Sequence, residues 1–303
     1  MPEPSPSPLI FDRRLLRVRY RRAVAAGPET FLLDRVADDL SERLGAVLRR
    51  FDLVLDLGTP GDALRMALAN VSSVGSVIGA RAALPITTTG TAAFVVADEE
   101  ALPFRSAAFD LVVSALSLQF VNDLPGALVQ IRRVLKPDGL FVAALAGGDT
   151  LTELRQSFAA AESEIEGGIS PRVAPFADVR DLGALLQRAG FALPVTDVDR
   201  ITVRYGSVFA LMHDLRRMGA TNALIDRRRV PLRRATLFRM AEIYAERFAD
   251  PDGRLRATFE IVWLAGWAPH PSQQRPLKPG SARARLADAL GTREISSGEK
   301  AGG

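Results

Sequence analysis

The sequence predicts a doubly wound α/β fold built on a mostly parallel sheet, and three observations carry that prediction. Short apolar runs of strand length alternate with segments of helical hydrophobic period from about residue 29 to 145. The runs end in turn-forming Gly, Pro and Asp residues. Finally, 303 residues of which 48% are hydrophobic suffice to cover a sheet on both faces.

The elements follow in order. Within 29–50, Phe31, Leu32, Val36, Leu40, Leu44 and Leu48 recur at helical spacing and predict a leading helix. The run Leu53-Val54-Leu55-Asp56-Leu57-Gly58 reads as a buried first strand closed by a turn, and a helix follows over about 62–70. Strands are expected at 74–80, 92–97 and 110–115, and a helix at 124–134. Lys136-Pro137-Asp138-Gly139 reads as a turn before a fifth strand at 140–145. Beyond it come a helix at 178–189, strands near 195–204, helical stripes at 208–218 and 236–248, and a strand at 258–264. We divide the chain into a disordered tail (1–9), a sheet domain with N-terminal helices (10–206), a mostly helical cap or substrate lobe (207–290) and a flexible tail (291–303).

Composition narrows the chemistry. There is no Cys, which excludes disulfides, thiolate metal sites and cysteine nucleophiles. The two histidines, His213 and His270, lie in unrelated segments without a His-x-Asp/Glu pair, so no metal is expected. Only Lys136, Lys278 and Lys300 are lysines among 39 basic residues, and the net charge is +4. The arginine clusters at 13–22 and 227–234 carry few interleaved aromatics and read as solvated helix faces, so no nucleic-acid partner is expected. No apolar run approaches membrane-spanning length and the first eight residues, four of them proline, lack the pattern of a signal peptide. A cytoplasmic-type protein is the expectation. Phosphate-loop and nucleophile-elbow motifs are absent from the sequence.

In a doubly wound sheet a ligand binds beyond the carboxyl ends of the strands, where strand order reverses. The sequence marks that rim with Asp56 and Gly58, with Asp98 and Glu99, and with the stretch from Ser114 through Leu116 to Phe120. Taken together, Leu55-Asp56-Leu57-Gly58, Ala97-Asp98-Glu99-Glu100-Ala101-Leu102-Pro103-Phe104, Phe109-Asp110-Leu111-Val112-Val113-Ser114 and Leu135-Lys136-Pro137-Asp138-Gly139 resemble class I S-adenosylmethionine-dependent methyltransferases. Within that superfamily the chain is most similar to the methyltransferase-like assembly factors of respiratory complex I, whose mitochondrial members hydroxylate an arginine of a complex I subunit. Ile10-Phe11-Asp12-Arg13, Ser117-Leu118-Gln119-Phe120-Val121-Asn122-Asp123-Leu124-Pro125 and the segment from Gly147-Gly148-Asp149-Thr150 to Arg155 carry this likeness. So do Met212 to Met218 with Gly219, Gly266-Trp267 and Pro279-Gly280-Ser281-Ala282. The methyltransferase that caps malonyl carrier protein in biotin synthesis resembles it more distantly.

The resemblance implies a seven-stranded methyltransferase-type sheet with a mostly helical C-terminal cap. It implies a cofactor site formed by Asp56, Gly58, Gly61, Asp98, Glu99, Ser114 and Leu116, with Asp98 toward the adenine, and a protein partner among complex I subunits. Gln119, Asp149 and Thr150, which follow strands four and five, are candidates for orienting substrate, and no catalytic residue is assigned. Two departures bear on the cofactor. The turn after strand one reads Gly58-Thr59-Pro60-Gly61-Asp62, in which Pro60 removes an N–H donor and Asp62 adds a carboxylate where glycine is the rule. From Ala63 through Ala97 there is no acid to accept the ribose hydroxyls, and the expected place falls at about Ala80 or Arg81. We therefore expect weak binding of S-adenosylmethionine. A noncatalytic assembly factor with a degenerate pocket, and a methyltransferase for a small or carrier-bound substrate, are the alternatives.

Overall fold

The computed structural model describes residues 9–82, 93–274 and 291–293. The tail at 1–8, the Pro279-Gly280-Ser281-Ala282 motif and residues 294–303 lie outside them. The chain divides into a unit over Met1–Pro269 and a second over His270–Gly303. In the second, His270 Nδ1 lies 2.6 Å from Ser272 Oγ, and the His270 amide donates to Gln273 Oε1 at 3.1 Å.

The first unit holds one seven-stranded sheet in the order β3-β2-β1-β4-β5-β7-β6. Its first five strands, β1 (Phe51–Leu57), β2 (Val74–Arg81), β3 (Phe94–Val96), β4 (Phe109–Ala115) and β5 (Leu135–Ala146), pair in parallel. The last two, β6 (Ala192–Tyr205) and β7 (Leu255–Trp267), are antiparallel to their neighbours. Alternation explains how the sheet is covered on both sides. Val54, Leu111 and Val113 face one apolar layer with Leu40 and Leu44 of α2 (Phe31–Gly45) and with Met240 and Tyr244 of α8 (Arg234–Phe248). Leu55 and Val112 face the other, with Leu128 and Ile131 of α4 (Leu124–Val134) and Leu182 and Leu186 of α6 (Val179–Arg188). The remaining helices are α1 (Arg13–Ala25), α3 (Ala63–Leu68), α5 (Thr152–Glu166) and α7 (Val208–Arg217).

Two features differ in detail from the sequence reading. Lys136-Pro137-Asp138-Gly139 does not end an element. Phe109 pairs with Leu135 and Leu111 with Leu140, so these residues bulge out of a continuous β5, with Asp138 in the left-handed region at φ 62°. The bulge is retained because Asp138 N and Gly139 O are both bonded to Ala268. The strand expected at 258–264 is β7, and it is longer and runs inside the sheet between β5 and β6. Residues 207–267 thus contribute α7 and α8 as expected and then return to the sheet, which extends past residue 206.

Candidate functional site

Strand order reverses between β1 and β4, and a cleft of about 440 Å³ opens there. A larger hollow of about 560 Å³ lies beside Gly45, Arg50 and Ser73, at the amino ends of β1 and β2, away from the reversal. The floor of the cleft is the turn after β1. Gly58 (φ 76°) and Gly61 (φ 66°) hold the left-handed conformations that let the chain double back into α3. A side chain at Gly58 would place Cβ 2.8 Å from Glu99 Oε1 and 3.0 Å from Ser117 Cβ, so only glycine fits. At Gly61 there is open space, and its requirement is conformational alone.

Beneath this turn lies a buried polar set. Asp56 is 2% exposed, and its Oδ1 has no hydrogen-bond partner. Desolvation pushes its carboxyl up to about 6, against the opposing pull of the Thr59 hydroxyl and the Arg81 charge. Thr59 Oγ1 in turn accepts the Ala115 amide at 3.0 Å, which ties the turn to the end of β4. Ser114 is buried beside it with its hydroxyl unpartnered.

The roof is α1, which carries six arginines in 13 residues. Arg13 bonds to both Asp98 and Glu99 and lies 3.0 Å from Glu100. Burial nevertheless raises the Glu99 carboxyl, with the Arg13 charge opposing it. Tyr20 Oη accepts the Gly61 amide at 2.6 Å. The α1 helix is anchored at its start by Asn122, whose Oδ1 accepts the Ile10 and Phe11 amides at 2.8 and 2.7 Å, and by Phe11 packed edge-on against Phe120 at 5.6 Å. Asp12 caps the helix through the Leu15 amide at 2.9 Å. At the far side, Gly219 (φ 72°) lets the chain pass close to Tyr20, with the Tyr20 Cα 3.0 Å from where a side chain would begin.

The structure distributes the sequence-predicted residues as follows. Gly58, Gly61, Glu99, Leu116, Gln119 and Thr150 line the cleft. Leu116 does so in a left-handed conformation (φ 51°), and Gln119 Oε1 is buried without a partner. Asp56, Asp98, Ser114 and Asp149 are not on its wall. Asp149 is paired with Arg200 on the exposed side of β6. The Thr150 hydroxyl is engaged with β7, donating to Glu260 O at 3.0 Å and accepting the Glu260 amide at 3.1 Å. Sequence reasoning missed the roof: Arg13 and Tyr20 of α1, and the choice of Arg81 over Ala80 at the end of β2. Ala80 is fully buried, whereas Arg81 lines the cleft, bonded to Gly61 O and stacked 4.9 Å over Phe94. The available signal for Arg13 was the motif Ile10-Phe11-Asp12-Arg13, whose partner residues lie some 85 positions away.

Strand order, reversal point and glycine turn define a class I methyltransferase-type domain. Residues 55–143 match the family model described as a methyltransferase domain. The YcgJ protein of Bacillus subtilis shares the fold, with a TM-score of 0.51 at 15% identity over 78% of this chain and 99% of that one. Over 300 residues the chain is 42% identical to the mouse protein "arginine-hydroxylase NDUFAF5, mitochondrial", covering 96% of this chain and 87% of the relative. It is also 36% identical to a malonyl-[acyl-carrier protein] O-methyltransferase of Halorhodospira halophila, over 90% of this chain and 93% of that one. The chain belongs to the NDUFAF5 arginine-hydroxylase family.

Three side-chain arrangements oppose S-adenosylmethionine, the cofactor implied by this domain class. The ribose edge carries the Arg81 cation in place of a carboxylate, and the Gly61 amide is held by Tyr20. The Asp98 carboxylate is held by Arg13.

Proposed function

We propose that this protein hydroxylates an arginine of a protein partner during assembly of respiratory complex I, on the cytoplasmic face or its matrix-side equivalent. The observation that carries this is likeness to an arginine hydroxylase over 96% of the chain. The cleft supports it chemically. Glu99 on its wall, with Asp98 and Glu100 just outside it, already holds one guanidinium, that of Arg13. A partner's arginine would meet the same carboxylates once Arg13 withdraws, and Gln119 Oε1 is a further acceptor within the cleft. Among the described residues no three His, Asp or Glu side chains converge as a ligand set, so none is named as a metal ligand. No described helix is long and apolar enough to cross a membrane, and recruitment would run through the partner.

S-adenosylmethionine is the ligand that the domain class implies, and we expect it to bind weakly. Loss of a charge-assisted ribose contact costs about 1.5–3 kcal/mol, or roughly ten- to a hundredfold in affinity. A second reading, a noncatalytic assembly factor, is favoured by the way Arg13 and Tyr20 fill the cleft. One experiment separates the two. In the source organism with this gene deleted, peptide mass spectrometry of complex I should show one arginine lacking the mass of an added oxygen. The native chain should restore it, and Glu99→Gln should restore it poorly. Impaired assembly with every arginine unmodified in the wild type would leave only the noncatalytic role.

A further inference from the structure

The residue that ends the second strand of a nucleotide-binding doubly wound sheet faces the ribose. A carboxylate there accepts from the ribose hydroxyls, whereas an arginine nearby accommodates a ribose phosphate. This chain has Arg81 at that point, one residue beyond the pair Leu57–Ala80, and no acid from Ala63 to Ala97. The Arg81 side chain is 9% exposed, lines the cleft, and keeps its Nε without a hydrogen-bond partner. The Phe94 ring and the Gly61 carbonyl fix the guanidinium in place, so little freedom is lost on binding. Two carboxylates share its charge without closing on it: Asp62 Oδ1 lies 3.4 Å away, with Asp62 Oδ2 3.6 Å from Arg65, and the buried Asp56 carboxyl, raised by desolvation, is pulled down by the same guanidinium. Of the other arginines that line the cleft, Arg13 and Arg17 are paired with Asp98 and Arg217 with Glu29, so the anion site rests on Arg81 itself.

We propose that the cleft takes a phosphorylated ligand whose phosphate dianion sits on Arg81 at the end of β2, as the 2′- or 3′-phosphate of a nucleotide ribose would. The proposal rests on the cleft being the ligand site of this domain, and is independent of whether an arginine is hydroxylated. The test is calorimetric titration of the full chain and of Arg81→Gln and Arg81→Lys with adenosine 2′,5′-bisphosphate, adenosine 3′,5′-bisphosphate, adenosine 5′-monophosphate and inorganic phosphate. One bisphosphate should bind at least about tenfold tighter than the monophosphate. Arg81→Gln should abolish that preference, and Arg81→Lys should keep part of it. Inorganic phosphate that binds as tightly as the bisphosphates would support a phosphate site on Arg81 but assign it to free phosphate or another phosphoryl group. Equal affinity for mono- and bisphosphates with no binding of phosphate, a preference that survives Arg81→Gln, or no binding of any probe would each overturn the proposal. If Arg81→Gln does not fold, the native titrations decide. Hydroxylation measured by mass spectrometry would stand in any of those cases.

Discussion

At about pH 8, Asp56→Asn should raise the unfolding free energy by about 2–3 kcal/mol, and the gain should disappear by about pH 4. Asp56 is buried beneath the glycine turn with an unpartnered oxygen, and its folded-state carboxyl titrates at about 6 against an ordinary value of 3.8. Desolvation is the main cause. The raised value fixes the sign. Between about pH 4 and 6 the unfolded chain has released the proton that the folded chain still holds, so native stability falls as pH rises through this window and stays lower above it. Each tenfold displacement of a proton equilibrium is worth about 1.4 kcal/mol, which sets the size of the gain. Asparagine keeps the shape and removes the ionisation. Urea unfolding of both proteins across this pH range measures the difference, and an Asn variant less stable than native at every pH would contradict the assignment.

Gly58→Ala should destabilise the protein by about 2–5 kcal/mol and close the cleft. About 1–2 kcal/mol follows from forcing an L-residue to φ 76°. A further 1–3 kcal/mol or so follows from overpacking, because the new methyl lands 2.8 Å from Glu99 Oε1 and must push that carboxylate away from Arg13. Gly61→Ala is the control: it has a similar φ of 66° with open space around it, so only the conformational cost of about 1–2 kcal/mol should remain. Thermal unfolding of the two variants side by side reads the difference. Equal losses would remove the packing argument for Gly58.

Much of the sheet was legible because its central strands are buried on both faces. Runs such as 53–55 and 111–113 are continuous in apolar residues, and the helices between them repeat at helical spacing. The bulge in β5 was not legible, since Lys136-Pro137-Asp138-Gly139 has turn chemistry whether or not the flanking strand continues. Its continuation depends on Ala268, distant in sequence. The placement of β7 inside the sheet was hidden for the same reason, because a strand's neighbours are not written in its own residues. In the site, Gly58, Gly61 and Glu99 were readable from motif chemistry. Asp149 and Thr150 carry polar side chains in a loop, and only the structure reveals that Arg200 and the β7 backbone occupy them. Arg13 and Tyr20 were missed because an arginine-rich helix with scant apolar content reads as a solvated one. What makes it a roof is the pairing of its first turn with carboxylates on a remote loop.

Arg81 lines the cleft at the end of β2, where the likeness to methyltransferases would place a ribose-binding carboxylate. The most direct measurement is equilibrium binding of S-adenosylmethionine to the native chain and to Arg81→Asp under identical conditions. Native binding should be weak, and the variant should gain about tenfold or more from the restored ribose acceptor and the removal of the guanidinium. Tight native binding that Arg81→Asp leaves unchanged or weakens would contradict the account, and would mean that Arg81 withdraws from the ribose position when the cofactor enters.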